Sequence, residues 1–185
     1  MDYEQKYKKY KTKYKTIKED NRINIENIKS KIFLINYPSE QYDYYKEKII
    51  SLYKKCEPDE KTFIPLMDNT KIIILSDVTK NNIFGFLALT STKIIQKMFP
   101  DDFYYKGGLS SPGLFMTSLC GNNLYKGVSN PLIKKLNKFK KYDYILLHVS
   151  TKRKKVHNIY KKHGFNDNGI INIDDETFHI MRKTL

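Results

Sequence analysis

Tryptophan is absent from this chain, cysteine occurs twice, and Arg22, Arg153 and Arg182 are the only arginines. Cys56 and Cys120 lie in unrelated segments, with no Cys-x-x-Cys pair and no clustered histidines. That pattern indicates neither a zinc site nor a disulfide framework, and it fits a reducing, intracellular compartment. No stretch approaches the ~18 apolar residues of a membrane span. The first residues are too polar for a secretory signal. The expectation is a soluble, metal-free protein, and no internal repeat is visible.

What is abundant is lysine. The net charge is +14 over 185 residues. Lys, Ile, Asn and Tyr are all frequent, as the codons of an AT-rich genome such as that of a large DNA virus would favour. Part of the charge therefore reflects codon usage, and host cytoplasm or virion is the matching location. Hydrophobic content of 40% and aromatic content of 14% exclude a wholly disordered chain. The length suits one domain with its own core.

Residues 1–30 read as a basic extension, helical or disordered. Tyr3, Tyr7, Tyr10, Tyr14 and Ile17 form one helical stripe among lysines. Such a helix either docks by its tyrosines or binds nucleic acid, an anionic surface or a partner helix.

Residues 31–185 read as one mixed α/β domain. Strands are expected at 31–37, 71–75, 83–89, 114–120, 144–149, 169–173 and 177–182. Ser39 is placed to cap a helix bearing Tyr42, Tyr45, Ile49, Leu52 and Tyr53. A short helix is expected at 92–99, another bears Leu132, Ile133, Leu136 and Phe139, and a third runs from about Lys152 to His163. Helices following strands 114–120 and 144–149 imply a partly parallel central sheet flanked by helices.

Two stretches carry the chemistry. "NLYKGVSNPLI" (123–133) offers Gly127 for close approach, Ser129 as a cap and Pro131 in a first helical turn. Backbone N–H groups at such a helix start form an anion site. "HNIYKKHGF" (157–165) reads as a helix end with Gly164 left-handed and Phe165 packed back. Spacing alone makes Tyr160 a core residue.

Strand order and these two stretches together resemble the GNAT superfamily of acyl-CoA-dependent N-acetyltransferases over about residues 31–183. In that family a Gln/Arg-x-x-Gly-x-Gly/Ala turn holds the pyrophosphate. Gly127 and Ser129 match its two glycine positions, while Leu124 replaces the usual Gln or Arg and Pro131 lacks an N–H. The resemblance implies acetyl-CoA as cosubstrate, held near Lys126, Gly127, Val128, Ser129 and Asn130. It implies that the strands at 114–120 and 144–149 splay, with a backbone N–H near Leu119 or Cys120 polarising the thioester. It also implies that Tyr160, in the family's Tyr-x-x-x-Gly-Phe ending, protonates the departing thiolate. Arg153 and Val156 replace the Asn and Ala common upstream on this helix.

Strand 114–120 contains no acid, so the base is open between His148, Asp101, Asp102 and Glu176. Cys120 reads as a small buried residue rather than a nucleophile. Segment 91–113 is either a lid or a tolerated insertion. The expected activity is acetyl transfer to a primary amine. The alternative is a non-catalytic basic nucleic-acid-binding or virion-associated protein on the same scaffold.

Overall fold

The computed structural model describes Lys8 and residues 22–56, 69–98, 112–173 and 175–185. In chain order these form β1 (Ile23–Asn24), β2 (Ser30–Tyr37), α1 (Glu40–Cys56), β3 (Thr70–Asp77), β4 (Ile83–Ser91) and α2 (Thr92–Met98). There follow β5 (Gly113–Gly121), β6 (Tyr125–Lys126), α3 (Ser129–Lys135), β7 (Tyr144–Ser150), α4 (Lys154–Lys162), β8 (Asn166–Ile173) and β9 (Glu176–Thr184). Short 3-10 turns span Ile25–Asn27 and Leu136–Lys138. Every strand and helix expected beyond residue 31 is present, with bounds moved by about three residues at most. The tyrosine stripe at 3–17, Asp101, Asp102 and most of segment 91–113 lie outside the described residues.

Seven strands form one sheet in the order β2-β3-β4-β5-β7-β9-β8. All neighbours are antiparallel except the pair β5 and β7. Consecutive apolar residues in β3 are explained by cover on both faces. Ile72 and Ile74 pack with Tyr42, Tyr45, Ile49 and Leu52 of α1. Ile73 and Leu75 pack with Leu132 and Ile133 of α3. The start of α1 is capped as the sequence predicts, for Ser39 Oγ accepts from the Tyr42 N–H at 3.1 Å.

Gly85 in β4 lets α3 approach. A Cβ there would collide with Val128 Cγ1 and lie 2.7 Å from the Cys120 carbonyl oxygen.

Three expectations are corrected. Residues 23–27, read as part of the extension, belong to the body: β1 pairs in parallel with β6, and Ile25 is only 3% exposed within the core. Ser129 is not a cap but the first residue of α3, and Val128 in the cap position gives no side-chain hydrogen bond. Cys56 and Cys120, read as unpaired, form a disulfide with Cα atoms 5.9 Å apart. The last residue of α1 reaches the far end of β5, a contact between segments 64 residues apart.

Candidate active site

The site originates in a fault in the sheet. β5 and β7 pair only from Gly113–Phe115 to Tyr144–Leu146. Beyond them the two strands part. The cause lies on the other edge of β5, where Ser118 opposes Ala88 and Met116 opposes Leu89, leaving Thr117 as an extra residue. Such a bulge bends its strand and increases the local twist. It falls at the level where the strands separate.

Consecutive strand residues turn their N–H groups to opposite edges, so of Leu119 and Cys120 one aims its donor at β4 and the other at the gap. The parted strands form the walls of a cleft of about 810 Å³. Leu119, Cys120, Lys126, Gly127, Val128, Ser129, His148 and Tyr160 all line it. Eight residues expected at the site are thus brought to one cavity.

At one wall the chain turns from β6 into α3. Gly127 has φ +84, a left-handed conformation that favours glycine. The turn is braced from below: Ile23 N–H donates to the Leu124 carbonyl at 3.0 Å, and Leu124 N–H donates to Asn122 Oδ1 at 3.1 Å. Val128 and Ser129 open α3, so the residues four positions before them lie outside the helix and it supplies no acceptor for their N–H groups. Asn130 differs from expectation. Its N–H donates to the Gly127 carbonyl at 3.2 Å, and it is not among the cleft-lining residues. Leu124, in the position where Gln or Arg was expected, is 66% exposed.

The end of α4 also borders the cleft. Gly164 has φ +82, its N–H donates to Lys161 O at 3.0 Å, and Phe165 N–H donates to Tyr160 O at 3.1 Å. This double bond pattern is the glycine-terminated helix stop read from the sequence. It fixes Tyr160, 7% exposed, with its ring edge-on to the fully buried Phe165 at 5.6 Å between centroids. The residue is therefore both core and cleft wall.

His148 projects from β7 between Phe115 and Phe178, with ring centroids 5.4 and 5.1 Å away. Burial lowers its pKa from 6.5 to about 4. It is neutral at pH 7, and a base so weak offers little driving force for taking a proton. The shift has a consequence for stability. Between pH 6.5 and about 4 the unfolded chain carries a proton on this imidazole that the folded protein lacks. Acidification therefore favours unfolding across that window, by up to about 3 kcal/mol, and above pH 6.5 the contribution is constant. Urea unfolding at several pH values is expected to show a shallower loss of stability for His148→Gln than for the parent protein.

Glu176, the other described acid considered as a base, accepts from Ser150 Oγ at 2.5 Å and lies 3.7 Å from Lys152 Nζ. The Ser150 hydrogen bond chiefly holds its carboxyl below the usual range. It lines the cleft as an ionised group.

Arg22 and Arg153 also line the cleft and were missed as site residues. A signal existed: in a chain whose cations are almost all lysine, two of the three arginines border one cavity. Arg22 adjoins Ile23, which is bonded to Leu124, so a guanidinium enters beside the turn where the motif lacks its side-chain donor.

No protein-family model and no curated protein matches the sequence. Solved structures do match in fold. A protein of Lactobacillus plantarum provisionally assigned as an N-acetyltransferase superposes with a TM-score of 0.59 at 12% identity, covering 85% of this chain and 99% of that one. An N-acetyltransferase of Staphylococcus aureus gives 0.59 at 10% identity, covering 83% and 97%. NAA60 of Arabidopsis thaliana, solved with acetyl-CoA, gives 0.55 at 12% identity, covering 84% and 99%. With its mixed sheet, single parallel pair and flanking helices, the chain has a GNAT-like fold.

Proposed function

We propose that the protein is an N-acetyltransferase that moves an acetyl group from acetyl-CoA to a primary amine. The observation that carries this reading is the cleft where β5 and β7 part, which is lined by both the Gly127 turn and Tyr160. A left-handed glycine, the N–H groups of Val128 and Ser129, and the cations Arg22, Lys126 and Arg153 suit a diphosphate. NAA60, which has the same fold, was solved with acetyl-CoA.

Acetyl-CoA supplies an activated acyl carbon and a thiolate leaving group. The β5 backbone N–H facing the gap near Leu119 or Cys120 donates to the acyl oxygen as negative charge develops there. The amine nitrogen forms the new C–N bond and its proton leaves to water, with His148 lining the cleft as a neutral imidazole that orients by hydrogen bonding rather than acting as the base. As the C–S bond breaks, the Tyr160 phenol gives its proton to sulfur and regains one from solvent.

A second reading, a basic nucleic-acid-binding protein that no longer catalyses, is favoured by the net charge of +14. The two differ in salt dependence. Contacts to nucleic-acid phosphates weaken steeply as salt rises. Calorimetric titration with acetyl-CoA, then assay of free thiol release with a panel of primary amines, tests the transferase. One saturable site and amine-dependent release are expected.

A further inference from the structure

Beside the cleft-facing stripe of α4, three elements bring together chelating side chains that the acetyl-transfer reading does not use. His157 of α4, Asp167 of β8 and His179 of β9 place one ligand atom each within 4.8 Å of one another. His157 Nε2 lies 2.6 Å from Asp167 Oδ1, and His179 Nδ1 lies 3.9 Å from the same oxygen. The two imidazoles stack with centroids 4.4 Å apart.

We propose that these three residues form a binding site for a transition-metal dication of the zinc class. Two imidazole nitrogens and one carboxylate oxygen select zinc, cobalt, nickel or copper over magnesium and calcium, which prefer all-oxygen sets. Bonds of about 2.0–2.2 Å set ligand atoms roughly 3.3 Å apart in a tetrahedron. The pair at 2.6 Å must open and the pair at 3.9 Å must close, each by less than 1 Å, while the two imidazole nitrogens, within 4.8 Å of each other, must close by up to about 1.5 Å through side-chain rotation.

Asp167 also meets the requirement for a second contact that orients a ligating carboxylate. Lys161 Nζ holds its Oδ2 at 2.7 Å, which leaves Oδ1 turned toward both histidines. The ligand side chains are partly exposed, at 14% for His157, 39% for Asp167 and 26% for His179. An ion therefore has an entry path, and its remaining coordination position opens to water. No sequence motif announces the site, because its ligands are ten and twelve residues apart on a helix and two strands. The bound ion clamps α4, which carries Tyr160, to the β8–β9 hairpin, which carries Phe178 into the cleft.

The test uses the full chain without a histidine tag, stripped with chelator and titrated with Zn(II) by calorimetry. Co(II) absorption in the visible range reports coordination independently. One ion per chain is expected, with a rise in Tm. His157→Ala and His179→Ala should each weaken binding by more than the roughly 10–100-fold that loss of a supporting contact costs. His163→Ala, at the C-terminal cap of the same helix and outside the cluster, should bind as the parent does. Circular dichroism confirms that each variant is folded, and Asp167→Asn provides a further ligand change at the most exposed of the three positions. No saturable binding by the folded parent, or undiminished binding in both histidine variants, overturns the proposal.

Discussion

Replacing Tyr160 with phenylalanine is expected to lower kcat by roughly 10²–10⁴-fold, the usual worth of a positioned acid. Affinity for acetyl-CoA should change by less than about tenfold, the upper value of one neutral hydrogen bond. The substitution is conservative for structure. The ring that packs edge-on to Phe165 is kept, and so are the two backbone bonds ending α4 at Gly164. Only the phenol oxygen is removed, so fold and cleft shape persist. Steady-state kinetics with a responsive amine, together with calorimetry, separates the two effects. Unaltered turnover would remove Tyr160 from the acid role and leave it as a wall residue.

Gly85→Ala is expected to destabilise the protein by about 1–3 kcal/mol, the range for overpacking a close contact. Tm should fall by roughly 2–4 °C per kcal/mol for a chain of this size. The added methyl meets two obstacles, Val128 Cγ1 and the Cys120 carbonyl 2.7 Å away, of which the second is backbone and cannot swing aside. Relief requires both Val128 and the β5 backbone at Cys120 to move, and with Val128 the turn that carries Gly127. Weaker acetyl-CoA binding should therefore accompany the loss of stability. Gly121→Ala is the comparison, since its Cβ would meet Val128 at 3.3 Å and only side-chain atoms are involved. It should cost less on both counts. Equal effects from the two variants in denaturant and binding experiments would contradict this packing argument.

Local signals were the legible ones. The stretch "YKKHGF" determines its own helix stop, because the left-handed glycine and the apolar residue after it lie within one turn of the residues they contact. Consecutive isoleucines in β3 announced a strand, and the continuous apolar run of β7 announced a buried one. The splay of β5 and β7 was expected only through a family resemblance, for the bulge at Thr117 depends on register with β4 and leaves no local mark. Long-range contacts were missed for the same reason. The Cys56–Cys120 pairing joins segments with no common pattern. Residues 22–27 were absorbed into the lysine-rich extension, although Ile25 is core and Arg22 reaches the cleft. His157, Asp167 and His179 meet only once β8 folds back on β9 beside α4. Ser129 was read as a cap because serine favours that position, whereas the helix begins one residue earlier and Val128 occupies it.

The central claim is that the gap between β5 and β7 receives acetyl-CoA, and titration calorimetry addresses it directly. The account predicts one saturable site per chain, competition by free CoA, and affinity that falls only modestly between low and physiological salt. Absence of saturable heat from folded protein, alongside strongly salt-dependent binding of an oligonucleotide, would contradict it and favour the basic binding protein.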